Sequence, residues 1–290
     1  MKRFEPQEEP RRGRLERLDY TGAGGVRKHA RVYLPFGYDD APARRYDVLY
    51  LMHGGGGNPE HWLELCPVQN MLDAAFAKGE AAPMLVVFPT YYAAPPSRVP
   101  GEVDPAFERN SVLEFQTKEL VQRLLPAVEG TYRTFAAGAD QAALKNAREH
   151  RAFGGFSMGA VNTWCAFQLH LDCFAVFVPL SGDSWALGPL AGGTRAGETA
   201  ALLCESVREA GFGPEDFHIY AATGTEDMAY VSLTPQIEAM KAIDDMFRFR
   251  EDRAGGNLHY LLGQGMDHSY EDVCQYLYNY LPYLFRGFQA

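Results

Sequence analysis

The 290-residue chain has no run of eighteen apolar residues, so no segment of it reads as a membrane-spanning helix. Its N-terminus, MKRFEPQEEPRRGRLERLDY, carries basic residues but lacks the apolar centre of a secretory signal, and a cytoplasmic protein is expected. Cysteine is scarce. Cys66, Cys165, Cys173, Cys204 and Cys274 are odd in number, widely spaced and without a C-x-x-C, which argues against a disulfide framework or zinc ribbon and for buried free thiols. Cations are outnumbered, 27 Lys and Arg against 37 Asp and Glu, and the net charge of −10 argues against the clustered basic surface that nucleic acid requires. No H-E-x-x-H is present. His53, Glu60, His61 and Glu64 lie close together but lack a metal-ligand spacing, so no metal is expected. No glycine loop is followed by G-K-[ST], which removes a phosphate loop. Internal repeats and Ser/Gly linkers are also missing. Residues 1–12 read as a flexible, charged lead-in to a single domain over 13–290.

What is present is an alternation of short apolar runs and helical stretches. GRLERLDYTG and VRKHARVYLP read as two strands around a glycine turn. YDVLYLMH, PMLVVFPT, HRAFGGF, CFAVFVPLSG, DFHIYAATG and NLHYLLGQG read as six more, apolar enough for strands covered on both faces. Helical stretches lie between them: 59–79 ending at Gly79, 111–130 with a kink expected at Pro126, 157–170, 232–250 and 269–285. This pattern predicts an α/β fold, a mostly parallel doubly wound sheet with helices on both faces. Ligands in such folds sit beyond the carboxyl ends of the strands. The long loops at 91–110 and 183–200 lie there and would form an active-site rim or lid.

Residues 155–159, GFSMG, fit G-x-S-x-G between an apolar strand and a helix, the context of a nucleophile elbow. Ser157 would then stand on a sharp turn at a helix N-terminus, where the dipole favours developing negative charge. A serine hydroxyl needs a base, and the base an orienting acid, in the order Ser, acid, His. Of the later histidines, His170 ends the helix that Ser157 begins, while His218 and His259 fall inside strands. His268 follows LLGQG at the end of the last strand, where the base belongs. The acid is expected after the preceding strand, in IYAATGTEDMAY, and Asp227 is favoured over Glu226, with Asp183 in PLSGDSW as a rival. An oxyanion hole would draw one N–H from Met158 and one from the glycine loop LMHGGGGN, with Gly55 the preferred donor and Gly54 and Gly56 its neighbours. His53 would support that loop.

VLYLMHGGGGNPEHW, HRAFGGFSMGAVNTW, ATGTEDMAY and GQGMDHSYEDV, in this order, resemble the esterase D-like family of α/β-hydrolases, and within it the feruloyl esterase modules of plant cell-wall degrading enzymes. The resemblance runs from about Arg14 to Phe285. It implies the α/β-hydrolase fold and a Ser157-Asp227-His268 triad, so the family aspartate decides between Asp227 and Asp183. It also implies a serine carboxylic-ester hydrolase acting on a hydroxycinnamoylated sugar or oligosaccharide, which needs no cofactor. Acetyl-xylan esterases and other acetylesterases, S-formylglutathione hydrolases and acyl-transfer relatives share the background, as would a non-catalytic binding relative. Substrate contacts are expected at His53, Gly54, Tyr91, Tyr92, Asp183 and Trp185, the aromatic residues offering rings to an aromatic acyl group. The partner expected is a small-molecule ester, not nucleic acid or membrane, and a homo-oligomer remains open.

Overall fold

A computed structural model describes residues 11–94, 104–250 and 255–288. Most of the expected lead-in and the middle of the 91–110 loop lie outside the described residues. The strands are β1 (Arg14–Thr21), β2 (Arg27–Leu34), β3 (Val48–Met52), β4 (Leu85–Phe88), β5 (Arg151–Phe156), β6 (Val176–Leu180), β7 (His218–Gly224) and β8 (Leu258–Gly263). They form one sheet in the order β1-β2-β4-β3-β5-β6-β7-β8. The β1/β2 and β2/β4 pairs are antiparallel and the remaining pairs parallel. This is the α/β-hydrolase architecture.

The helices are α1 (His61–Leu65), α2 (Val68–Ala77), α3 (Pro105–Phe115), α4 (Leu125–Thr131), α5 (Gln141–Asn146), α6 (Met158–Leu169), α7 (Ala191–Thr194), α8 (Ala196–Glu209), α9 (Tyr230–Lys241) and α10 (Tyr270–Tyr280). The side-chain period of two divides the sheet between two cores. Tyr50, Phe153, Phe177 and Ile219 face one core with α3, α6, α8 and α9. Leu49, Leu51, Ala152, Val178 and Tyr220 face the other with α2 and α10. The central strands are therefore largely apolar, with the buried Arg151 at the start of β5 paired to Glu129 at 2.6 Å.

Several elements differ from the pattern read in the sequence. The 59–79 stretch breaks into α1 and α2 at Pro67, which cannot supply the N–H that would carry one helix through. Pro126 lies in the first turn of α4. Gln116–Leu124 winds as a π-helix, and α4 starts where it ends, with Leu125 N–H donating to Leu120 O, so the missing proline N–H falls in a first helical turn. Helical structure after Tyr230 stops at Lys241 and does not reach residue 250. The 183–200 segment is partly helical, because it holds α7 and the start of α8, which buries Ala200, Leu203, Cys204 and Val207. All five cysteines are free thiols. Among the described residues no helix is long and apolar enough to cross a membrane.

Candidate active site

The turn between β5 and α6 holds Ser157 at φ 57°, ψ −116°, a backbone conformation rare for a residue with a side chain. Its flanking glycines are required by space. A Cβ on Gly155 would lie 2.7 Å from the Gly159 carbonyl carbon, and one on Gly159 would lie 2.6 Å from Met52 O. The elbow therefore presses β5, α6 and the end of β3 together at backbone distance. Gly159→Ala should lower stability by about 3 kcal/mol, because backbone cannot yield as a side chain can. A denaturant melt checks this, and a midpoint equal to wild type would contradict it.

Ser157 Oγ lies 2.9 Å from His268 Nε2, and His268 Nδ1 lies 2.7 Å from Asp227 Oδ1. His268 comes from the loop after β8 and is partly exposed, whereas Asp227, after β7, is buried. Burial opposes the charge of Asp227. The hydrogen bond and charge of His268, with the Ala229 N–H at 2.7 Å, outweigh that cost and hold the carboxyl below its ordinary value. Asp227 is thus ionised at neutral pH. It accepts from Nδ1–H, which leaves Nε2 as the lone-pair nitrogen facing the serine.

The two rival acids stand elsewhere. Glu226 is exposed. Asp183 is 2% exposed and accepts from Gly192 N–H at 2.8 Å and from Trp185 Nε1–H at 3.3 Å. Desolvation raises its pKa against these bonds. Its work is to fold the segment after β6 back on itself.

The glycine loop abuts the serine: a Cβ on Gly54 would lie 3.4 Å from Ser157 Cβ. Three of its four N–H groups are committed. Gly54 donates to the Tyr270 hydroxyl at 3.0 Å, Gly56 to the Tyr92 hydroxyl at 2.7 Å and Gly57 to Gly54 O at 3.1 Å. Gly55 is exposed. Met158 begins α6 immediately beyond Ser157.

The residues expected to touch substrate lie mostly in the interior. Tyr91 and Tyr92 are 2% and 3% exposed. Their hydroxyls donate to the buried Glu108 carboxylate, Tyr92 at 2.7 Å and Tyr91 at 3.1 Å. His53 is also buried. Its Nδ1 lies 2.8 Å from Gly54 O and its Nε2 2.8 Å from Thr90 Oγ1, and its ring packs 4.9 Å from Tyr91. These residues lie beneath the glycine loop because a carboxylate, Glu108, is buried there and draws the hydroxyls inward. Asp183 and Gly54 are likewise buried. Of the six, only Trp185 keeps partial exposure. It closes a cavity of about 170 Å³ between α3 and α6, whose other walls include Arg109, Val161, Cys165 and Gln168. Sequence reasoning missed Glu108 and Tyr270. Tyr270 follows His268 by two residues at the head of α10, a proximity that could have marked it, whereas Glu108 carried no local signal.

The Esterase family model matches residues 23–232. The chain belongs to the Esterase family. Its feruloyl esterase relatives are serine carboxylic-ester hydrolases, and the chain belongs among such enzymes. Endo-1,4-beta-xylanase Y of Acetivibrio thermocellus is 36% identical over 277 residues, 95% of this chain and 23% of that protein. The chain thus spans less than a quarter of that curated relative. The solved feruloyl esterase module from Clostridium thermocellum, complexed with sinapinate, is 35% identical, covers 99% of this esterase and 95% of its own chain, and superposes with a TM-score of 0.82. An S-formylglutathione hydrolase from Staphylococcus aureus, 16% identical with 94% of this chain and 99% of that one covered, shares the fold at a TM-score of 0.61.

Proposed function

We propose that this esterase is a feruloyl-type enzyme that releases hydroxycinnamic acids from sugar esters through Ser157, His268 and Asp227. The observation that carries the reading is the unbroken hydrogen-bonded chain from the Ser157 hydroxyl through the imidazole to a buried carboxylate. His268 Nε2 takes the serine proton as Oγ attacks the ester carbonyl. The oxygen that becomes negative is held by the N–H groups of Met158 and Gly55, two donors without a partner among the described residues. Asp227 fixes the imidazole tautomer and stabilises its cation. His268 then protonates the departing sugar hydroxyl, and in the second half it activates water against the acyl-enzyme.

The hydroxycinnamoyl part rests on the feruloyl esterase module at 35% identity and on the groove bounded by Trp185. Val161, which lines that cavity, lies four residues beyond Ser157 in α6, and the aromatic acyl group carried on Ser157 is assigned to that side of the site. A panel of methyl ferulate, methyl sinapate, methyl p-coumarate and acetylated xylan tests this. The expected result is turnover of the hydroxycinnamates at least tenfold above the acetyl ester. Cleavage of acetyl esters with none of methyl ferulate would overturn the reading.

A further inference from the structure

We propose that the hydroxyls of Tyr92 and Tyr270 are positioning groups. They occupy the N–H groups on either side of Gly55, and so aim the Gly55 N–H at the oxygen of the reacting ester. The inference rests on the reading of Ser157 as an ester-attacking nucleophile.

A loop of four glycines has no side chains to set its own conformation, and its backbone loses more entropy on ordering than any other sequence would. Donors aimed at an oxyanion are effective only when they need no reorganisation during reaction. Something outside the loop must therefore hold it. The contacts alternate: Gly54 N–H goes to Tyr270 at 3.0 Å and Gly56 N–H to Tyr92 at 2.7 Å, so the peptide plane between them is gripped from both ends. Gly54 O is held too. A carbonyl only accepts, so His53 donates to it from Nδ1, and Nε2 in turn accepts from the Thr90 hydroxyl.

Each tyrosine is itself fixed. The Tyr92 hydroxyl gives its one proton to Glu108, whose oxygens lie at 2.7 and 2.8 Å, and so presents a lone pair to Gly56. A phenol bonded to a buried carboxylate is polarised into a stronger acceptor. The Tyr270 ring sits edge-on to Trp62 at 5.3 Å and is packed against Phe156 at 4.8 Å. Burial raises the pKa of its hydroxyl, which therefore stays neutral. Tyr270 also lies two residues beyond His268, so one short segment carries both the histidine and an anchor of the glycine loop.

The test uses the whole chain with Tyr92→Phe and Tyr270→Phe. The expected result is a fall in kcat on methyl ferulate of about tenfold or more in each variant, with KM within twofold, since removing such a donor entirely costs about 10²- to 10³-fold. Phenylboronic acid supplies a second readout. Ser157 Oγ bonds to its boron, the serine proton passes to His268, and the boron becomes tetrahedral and anionic with an oxygen at the oxyanion position. Its Ki should weaken in step with kcat, while inhibition by the planar product ferulate should not change. Folded variants with kcat and boronate Ki within twofold of wild type would overturn the inference. Equal loss of boronate and ferulate affinity would also overturn it, since that marks general damage to the site. If either variant fails to fold, wild-type protein labelled with ¹⁵N-glycine decides. Phenylboronic acid should move the Gly55 amide proton downfield and leave those of Gly54 and Gly56 in place, and movement of either neighbour instead refutes the assignment. A wild type inactive on every ester overturns the functional reading and this inference with it, whereas an active wild type with unaffected variants overturns this inference alone.

Discussion

Ser157→Ala should lose turnover of methyl ferulate by about 10⁶-fold in kcat, the scale seen when a serine nucleophile is removed from a triad enzyme. The elbow itself should survive. Alanine keeps the Cβ at the same strained φ, and the hydroxyl's recorded bond is the one to His268 at 2.9 Å. The unfolding midpoint should therefore stay close to wild type, which separates lost chemistry from lost structure. His268→Ala should cost a comparable factor. The double variant should be no worse than either single one, because nucleophile and base act as a unit. Product release followed by chromatography checks all three. A Ser157→Ala rate above a hundredth of wild type would place the nucleophile elsewhere.

The second large effect separates two buried aspartates. Asp227→Asn should lower kcat by about 10⁴-fold, since an amide can donate to Nδ1 and thereby stabilise the tautomer that carries its proton on Nε2, where it blocks proton transfer from the serine. Asp183→Asn should leave kcat within a few-fold of wild type. Its carboxylate is bound to Gly192 N–H and the Trp185 ring nitrogen, and its effects should fall on stability and on KM through the segment carrying Trp185. Steady-state kinetics on the two variants checks both statements. A reversal, with Asp227→Asn near wild type and Asp183→Asn inactive, would exchange their roles.

Much of the fold was legible before any coordinates. All eight strands fall within segments read as strands, and the six marked by apolar runs are legible because strands covered on both faces can carry little else. The glycine spacing around Ser157 was legible for a steric reason: two backbones approach within distances that no Cβ tolerates. Helix ends were less legible. Pro67 divides one apparent helix into two, and α8 hides in a stretch that its glycines made look like loop. Tyr91 and Tyr92 show the limit clearly. An aromatic pair after a strand reads as pocket lining, and nothing near them in the chain says that Glu108 is buried behind them.

The sequence alone therefore determined the order of elements, the elbow and the short set of residues that could act with Ser157, since these depend on side-chain period, chain order and local sterics. The tertiary structure decided which way the two tyrosines turn, what Asp183 holds and what grips the glycine loop. Tyr270 reaches Gly54 across 216 residues of chain, and His268 reaches Ser157 across 111. Contacts at such separations are set by how the packed sheet brings strand ends together, and no local propensity records them.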